Sequence, residues 1–172
     1  MKKFELTDEF ITNAFGNKLF RIKAIVDFGT IRAGELGGFV EKEENLSNDD
    51  NAWVSGNARV SDDARISDDA RISGNAQVSG NASVFGNAWV YDNADYAVVE
   101  GFGRYFRATT FFRCKDKILR VQCGCFYGDL AEFREIVKKT HGDSKYAKEY
   151  LAIADLMELH FSGEEENQEA DE

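Results

Sequence analysis

Histidine and cysteine side chains, which could act as general bases, nucleophiles or metal ligands, are few and lie late in the chain. The sequence contains two histidines, His141 and His160, and none precedes residue 141. Histidine is the usual acid–base group of enzymes and a common metal ligand. Both histidines fall at the ends of predicted helices, where an imidazole most often caps backbone carbonyls. We therefore expect no catalytic residues and no enzyme activity.

Three cysteines, Cys114, Cys123 and Cys125, complete the set of reactive side chains. A structural zinc site needs four ligands, and His141 is the histidine nearest to them in the sequence. An odd number of cysteines, in a chain whose first residues do not resemble a signal peptide, argues against a disulfide framework. The sequence therefore predicts free thiols, no bound metal and no cofactor.

The segment 103–120 interleaves basic and aromatic side chains. Its arginines are Arg104, Arg107, Arg113 and Arg120, and its aromatic residues are Tyr105, Phe106, Phe111 and Phe112. Such a mixture can stack on nucleotides and pair with phosphates, which makes the first three arginines candidate binding residues and a small nucleotide a candidate ligand. A β-hairpin with aromatic residues inward and arginines outward would show the same pattern for structural reasons alone.

A period of six residues dominates the middle of the chain. An aliphatic residue occupies every sixth position, and alanine stands two residues before each one. The aliphatic residues are Val54, Val60, Ile66, Ile72, Val78, Val84 and Val90, with Tyr96 at the end of the series. Neither a helix nor a simple hairpin has this period. The pattern predicts short parallel strands joined by Gly, Asn or Asp corners, three strands to a triangular coil.

This pattern resembles the left-handed parallel β-helix of hexapeptide-repeat proteins. The left-handed sense comes from the resemblance alone, because parallel crossovers are in general right-handed. Val40 and Leu46 continue the spacing upstream, and a two-residue slip at Asn48 to Asp50 interrupts it, so about three coils are expected. Enzymes of this family place histidines in or beside the coils, and this chain has none there. The resemblance therefore implies the fold without the activity.

A short solenoid needs caps over its open ends. We expect a mainly β fold with an N-terminal β cap at residues 1–36, the β-helix at 37–98, a β-hairpin plus two α-helices at 99–161, and a disordered acidic tail at 162–172. Asp129 is expected to cap a first helix that ends at His141. A second helix, from about Ser144 to Phe161, is expected to bury an apolar face. The residues of that face are Tyr146, Tyr150, Ile153, Met157 and His160.

One outward column of the predicted β-helix carries two tryptophans. Trp53, Arg71 and Trp89 follow one another at intervals of three hexads, and Phe85 and Tyr91 are expected on the outer surface nearby. A guanidinium between two indoles is stabilised by cation–π attraction. Outward tryptophans are also typical of interfaces. The column is therefore a candidate contact, either within the homotrimer that the family resemblance implies or with another protein.

Charge narrows the class of partner. The net charge is −10, and residues 164–172 hold six acidic side chains. A negative surface repels phosphate backbones, so direct binding of duplex nucleic acid is disfavoured and a protein with a basic surface is favoured. No apolar run approaches the roughly 18 residues of a membrane span, so we expect a cytoplasmic protein without membrane contact.

The order of motifs also resembles small hexapeptide-repeat proteins of bacteriophages and prophages. These motifs are AGELGGFVEKEENLS at 33–47, the hexads, TTFFR at 109–113, CGCF at 123–126 and THGDSKYAKEYL at 140–151. The resemblance implies a phage accessory protein in the host cytoplasm. Stoichiometric binding that inhibits or sequesters a host defence protein, as anti-CRISPR proteins do, is the leading hypothesis. A structural component of the phage particle and a degenerate acyltransferase are the alternatives.

Overall fold

The structure, a computed structural model, describes residues 1–162. The fold is mainly β, with two helices at its C-terminal side. The strands are β1 (Phe4–Thr12), β2 (Lys18–Ala24), β3 (Leu36–Val40), β4 (Trp53–Val54), β5 (Arg59–Val60), β6 (Arg65–Ile66), β7 (Arg71–Ile72), β8 (Gln77–Val78), β9 (Ser83–Val84), β10 (Trp89–Val90), β11 (Tyr96–Val99), β12 (Thr109–Arg113), β13 (Leu119–Cys123) and β14 (Phe126–Asp129). The helices are α1 (Leu130–His141) and α2 (Lys145–Ser162). Ser162 ends α2 and is not part of a tail, and the remainder of the predicted tail lies outside the described residues.

The six-residue period builds short parallel strands that stack in three sheets. Strands β4, β7 and β10 form one sheet, β3, β5 and β8 belong to a second, and β6 and β9 form the third. Every aliphatic residue of the period from Val54 to Val90, and the alanine two positions before it, is at most 1% exposed. The predicted repeat β-solenoid is confirmed, because this spacing places the alanine and aliphatic side chains inside.

The slip in the repeat is visible in the strand pairing along the chain. Within the regular repeat, Val54 is in register with Ile72, which lies three hexads further on. Val40 of β3 is in register with Val60, so this pairing spans a longer stretch of chain than three hexads. The additional residues are therefore accommodated before β4, where Asn48 to Asp50 were predicted to interrupt the period.

Lys3 stabilises this irregular segment. Its backbone N–H donates to the side-chain oxygen of Asn48 at 3.0 Å. Its ammonium group donates to the backbone carbonyls of Asp49, Asp50 and Ala52 at 3.2, 3.3 and 2.9 Å. The side chain is almost fully buried, and this burial lowers the pKa of Lys3 to about 8. Lys3 thus satisfies three backbone carbonyl groups in and just after the irregular segment.

Two corners of the solenoid use aspartate in a conformation that glycine normally adopts. Asp62 and Asp68 have φ angles of 58° and 56°. Their carboxylates accept hydrogen bonds from the backbone N–H of Gly80 and Gly86, at 2.9 and 3.0 Å. Aspartate tolerates positive φ better than most residues. Corners on successive coils are therefore linked by side chains as well as by the strand ladders.

The N-terminal strands extend one face of the solenoid. Strands β1 and β2 pair antiparallel, β2 pairs antiparallel with β3, and β3 pairs parallel with β5. The sheet order is β1-β2-β3-β5-β8, so the strands of the N-terminal β cap are continuous with the repeat. Phe4 and Ile22 are fully buried and join the solenoid core. The same sheet thus contributes to the cap and to the solenoid.

The C-terminal strands form a layer between the solenoid and the helices. The predicted hairpin, β12 and β13, is the centre of a four-stranded sheet of order β11-β12-β13-β14. Phe112 packs with the solenoid core, whereas Phe111, on the opposite face, packs with Phe133 and the helices. Both faces of this hairpin are therefore covered, and its aromatic residues Phe111 and Phe112 are both fully buried. Tyr105 and Phe106 lie before β12, in an exposed loop.

The two helices begin and end close to the predicted positions. The Asp129 carboxylate accepts from the backbone N–H of Glu132 at 2.8 Å, and the Glu132 carboxylate accepts from that of Asp129 at 2.9 Å. Of the residues expected to be buried in the second helix, Tyr150, Ile153 and Met157 are buried. Tyr146 and His160 are instead exposed, because the buried face of α2 runs through Ala147, Ala154 and Phe161.

Candidate functional site

The β4–β7–β10 sheet brings Trp53, Arg71 and Trp89 side by side. The three residues are in register on adjacent strands, as the spacing of the repeat predicts. The sheet lies at the bottom of a groove of about 640 Å³. We call it the ladder groove, and its lining residues include Thr30, Glu35, Asp69, Arg71, Trp89 and Lys115. The loop after β2 and the β12–β13 turn supply the residues that flank the sheet.

Trp53 is not an outward anchor, and its predicted exposure was wrong. The side chain is 1% exposed, and the ring of Phe28, from the loop after β2, meets it edge to face at 5.4 Å. The indole Nε1 is buried without a hydrogen-bond partner in the described part of the chain. Because this loop folds over the solenoid face, Trp53 contributes to the core and does not offer a contact surface.

The predicted stack of Arg71 between two indoles does not form within residues 1–162. The Arg71 guanidinium instead lies 3.5 Å from the hydroxyl of Thr30, as a long hydrogen-bond donor. The cation above the Trp89 ring is Lys115, whose ammonium is 5.8 Å from the ring centroid. Trp89 is 52% exposed. The accessible part of the column therefore consists of Arg71 and Trp89, with Lys115 as a neighbour that the repeat pattern does not reveal.

A second groove of about 800 Å³ adjoins the first and shares Trp89 and Lys115 with it. Tyr91, which is 66% exposed, lines this second groove together with Lys117 and Phe161. The predicted outward position of Tyr91 is confirmed. Trp89 and Tyr91 thus present two exposed aromatic rings on one side of the molecule.

Phe85 and Arg113 hold the layers of the fold together. The Phe85 ring is half-buried, 4.7 Å from the ring of Tyr127, so its predicted outward position was wrong. Arg113 Nε lies 3.3 Å from a carboxylate oxygen of Asp95. Its Nη2 donates to the backbone carbonyl of Phe161 at 2.7 Å. Arg113 therefore joins the start of β11 to the end of α2.

Arg104 and Arg107 lie in the exposed loop between β11 and β12, away from the ladder groove. Their guanidinium carbons are 5.6 and 4.8 Å from the ring centroid of Tyr105. Both line a separate cavity of about 210 Å³ between this loop, the β13–β14 turn and the two helices. The sequence segment 103–120 therefore does not form one surface, since Arg113 faces the second groove.

The reactive side chains are dispersed. Cys114 is buried, Cys123 is half-buried and Cys125 is exposed, and all three are free thiols. Burial raises the pKa of the Cys114 thiol. Within residues 1–162, no three His, Cys, Asp or Glu side chains come together as a metal site would require. In the same part of the chain, neither helix combines the length and the apolar composition needed to cross a bilayer.

Comparison with known families supports the repeat architecture. The model of the YdcK β-solenoid repeat matches residues 64–78 and 76–92, which are strands β6 to β10 of the solenoid and their corners. No curated protein matches the chain. The shared feature is therefore the repeat, and the middle of this chain is a repeat β-solenoid.

Proposed function

We propose that this is a non-catalytic, phage-type accessory protein that acts by stoichiometric binding to a host protein with a basic surface. In this proposal it inhibits or sequesters a host defence protein, as anti-CRISPR proteins do. The observation that carries the proposal is the pair of exposed rings, Trp89 and Tyr91, at the junction of two grooves. Exposed tryptophan and tyrosine beside a concave surface are typical anchors of protein interfaces.

The charge of the chain supports the proposed partner. A net charge of −10 attracts a basic protein and accelerates the encounter. Aromatic anchors act differently, because they slow dissociation once the complex has formed. The ladder groove is lined by side chains of both charges, the acidic Glu35 and Asp69 and the basic Arg71 and Lys115. This arrangement favours a partner whose own polar groups surround an apolar contact.

The test is to capture a host partner from cell extract with the immobilised protein. The partner is then purified, and the number of partner molecules bound per chain is measured. We expect one partner molecule per chain, retained by the unmodified protein and lost when Trp89 and Tyr91 are both replaced by alanine. Equal retention by the double variant would show that the partner binds elsewhere.

We also propose that the solenoid is left-handed, with about three coils, and assembles as a homotrimer in the host cytoplasm. The pairing of Val40, Val60 and Val78 along one sheet and of Val54, Ile72 and Val90 along another supports the coil number. The handedness and the trimer follow from the likeness to hexapeptide-repeat solenoids, in which prism faces pack around a three-fold axis.

The trimer predicts a mass in solution three times that of the 19.3 kDa chain. Light scattering at micromolar concentration measures this mass. Trp89→Ala should leave it unchanged if the ladder groove binds the partner and other prism faces form the subunit contacts. A monomer mass for the unmodified protein would contradict the trimer, and a smaller species with Trp89→Ala would assign the groove to the subunit contact.

Catalysis is expected to be absent, because no histidine lies in or beside the solenoid to act as a general base. Acetyl transfer from acetyl-coenzyme A to amine and hydroxyl acceptors should stay at the uncatalysed rate. Hydration of carbon dioxide should do the same. Turnover that disappears with His141→Ala would overturn this expectation and make the degenerate acyltransferase the better hypothesis.

A further inference from the structure

The cavity between the helices and the β11–β12 loop has an aromatic interior. We call it the C-terminal cavity, defined by Arg104, Arg107, Cys123, Phe133, His141 and Tyr150. The ring of Tyr150 stands edge to face with Phe133 at 5.8 Å and is stacked with His141 at 5.8 Å. All three residues line the cavity, and aromatic rings attract a further flat ring in stacked or edge-to-face arrangements. The interior is therefore suited to an aromatic compound.

The mouth of the cavity carries two cationic groups. Arg104 and Arg107 are exposed, and neither forms an ion pair with a carboxylate in residues 1–162. The neighbouring carboxylate of Glu149 is engaged, because it accepts from the backbone N–H of Gly103 at 2.8 Å and lies 3.8 Å from Lys145. Both guanidinium groups contact the ring of Tyr105 but have no carboxylate partner in that part of the chain, so their charge is available to an anionic ligand.

Two glycines allow the walls of the cavity to approach each other. A Cβ atom at Gly103 would overlap the hydroxyl of Tyr150, and one at Gly124 would overlap the guanidinium of Arg107. Gly124 also has a φ of 60° in the two-residue turn between β13 and β14. Glycine is the usual residue at such a position. The glycines thus allow the Tyr150 hydroxyl and the Arg107 guanidinium to pack closely against the backbone at the cavity.

The hydroxyl of Tyr150 adds a polar group inside the cavity. It lies 3.9 Å from the sulfur of Cys123. The pKa of Tyr150 is raised to about 12, mainly because the phenol is buried. The phenol therefore stays protonated at neutral pH and can donate a hydrogen bond to a ligand.

We propose that the C-terminal cavity binds a small aromatic anion, a single ring that carries a carboxylate or a phosphate group. The ring lies against Phe133, His141 and Tyr150, and the anionic group pairs with Arg104 and Arg107. The volume of about 210 Å³ exceeds the roughly 150 Å³ that holds benzene but is below the roughly 300 Å³ of pockets for drug-sized ligands. A single ring fits, whereas a whole nucleotide does not. This site is separate from the ladder groove and independent of the proposed function.

Titration calorimetry with benzoate and with phenyl phosphate tests the proposal and distinguishes the two anionic groups. At least one of them should bind with a dissociation constant below about 1 mM, and benzamide, the neutral analogue of benzoate, should bind at least about tenfold more weakly. Arg104→Ala and Arg107→Ala should each weaken binding about tenfold. Arg65→Ala, which removes an exposed arginine of the solenoid, is the matched control and should change nothing.

Cysteine labelling with the same ligands locates the site in a separate measurement. Cys125 is exposed at the cavity, whereas Cys114 is buried elsewhere, so saturating ligand should slow alkylation of Cys125 by iodoacetamide. The proposal would be overturned if neither aryl anion binds, if inorganic phosphate binds as tightly as phenyl phosphate, or if Arg65→Ala weakens binding as much as the two cavity variants do. Binding without protection of Cys125 would also contradict it, because the ligand would then occupy another surface.

Discussion

Trp53→Ala is expected to lower the free energy of unfolding by about 3 to 5 kcal/mol, the cost typical of removing a large buried aromatic side chain. The indole is 1% exposed and lies between the solenoid interior and the ring of Phe28. Its loss leaves a cavity that the short, hydrogen-bonded strands around it cannot collapse to fill. Urea unfolding followed by circular dichroism measures the change.

Trp53→Phe separates packing from polarity at the same position. The buried Nε1 N–H has no hydrogen-bond partner within residues 1–162, and an unsatisfied buried donor costs about 1 to 3 kcal/mol. Phenylalanine removes that donor and keeps one ring, so its cost should be well below that of alanine. A loss below about 1 kcal/mol for Trp53→Ala, the average effect of any substitution, would mean that the loop after β2 does not cover the solenoid face.

Trp89→Ala is expected to accelerate dissociation of the host partner about thirtyfold, which corresponds to about 2 kcal/mol. The side chain is half exposed beside Lys115, so it can enter a pocket on a partner without disturbing the core. Association should change little, because the substitution removes no charge. Surface plasmon resonance with the captured partner gives both rate constants.

The matched control for this experiment is Phe15→Ala. Phe15 is 90% exposed in the turn between β1 and β2, so its replacement removes an exposed aromatic ring on a different surface. The complex of the Phe15→Ala variant with the partner should dissociate at the same rate as that of the unmodified protein. An unchanged rate for Trp89→Ala, or an equal acceleration by both variants, would remove the ladder groove from consideration as the partner surface.

The periodic sequence by itself determined the solenoid. Each hexad specifies its own inward alanine and aliphatic residue and its own corner, so the pattern needs no distant information. The interruption of the repeat at Asn48 to Asp50 could be predicted for the same reason. An interrupted period must increase the number of residues that separate paired positions along the chain. The start of α1 could also be predicted from the sequence, because Asp129 and Glu132 form a local capping motif.

Tertiary structure alone decided which outward residues are accessible. Trp53 and Trp89 occupy equivalent positions in the repeat, yet Phe28 covers the first and leaves the second exposed. Arg113 was indistinguishable in sequence from Arg104 and Arg107, but its contact with Phe161 spans 48 residues of chain. The C-terminal cavity likewise joins a loop, a turn and two helices. Repetition encodes the strands locally, whereas these contacts depend on how non-repetitive segments fold back onto the solenoid, and no periodicity specifies that packing.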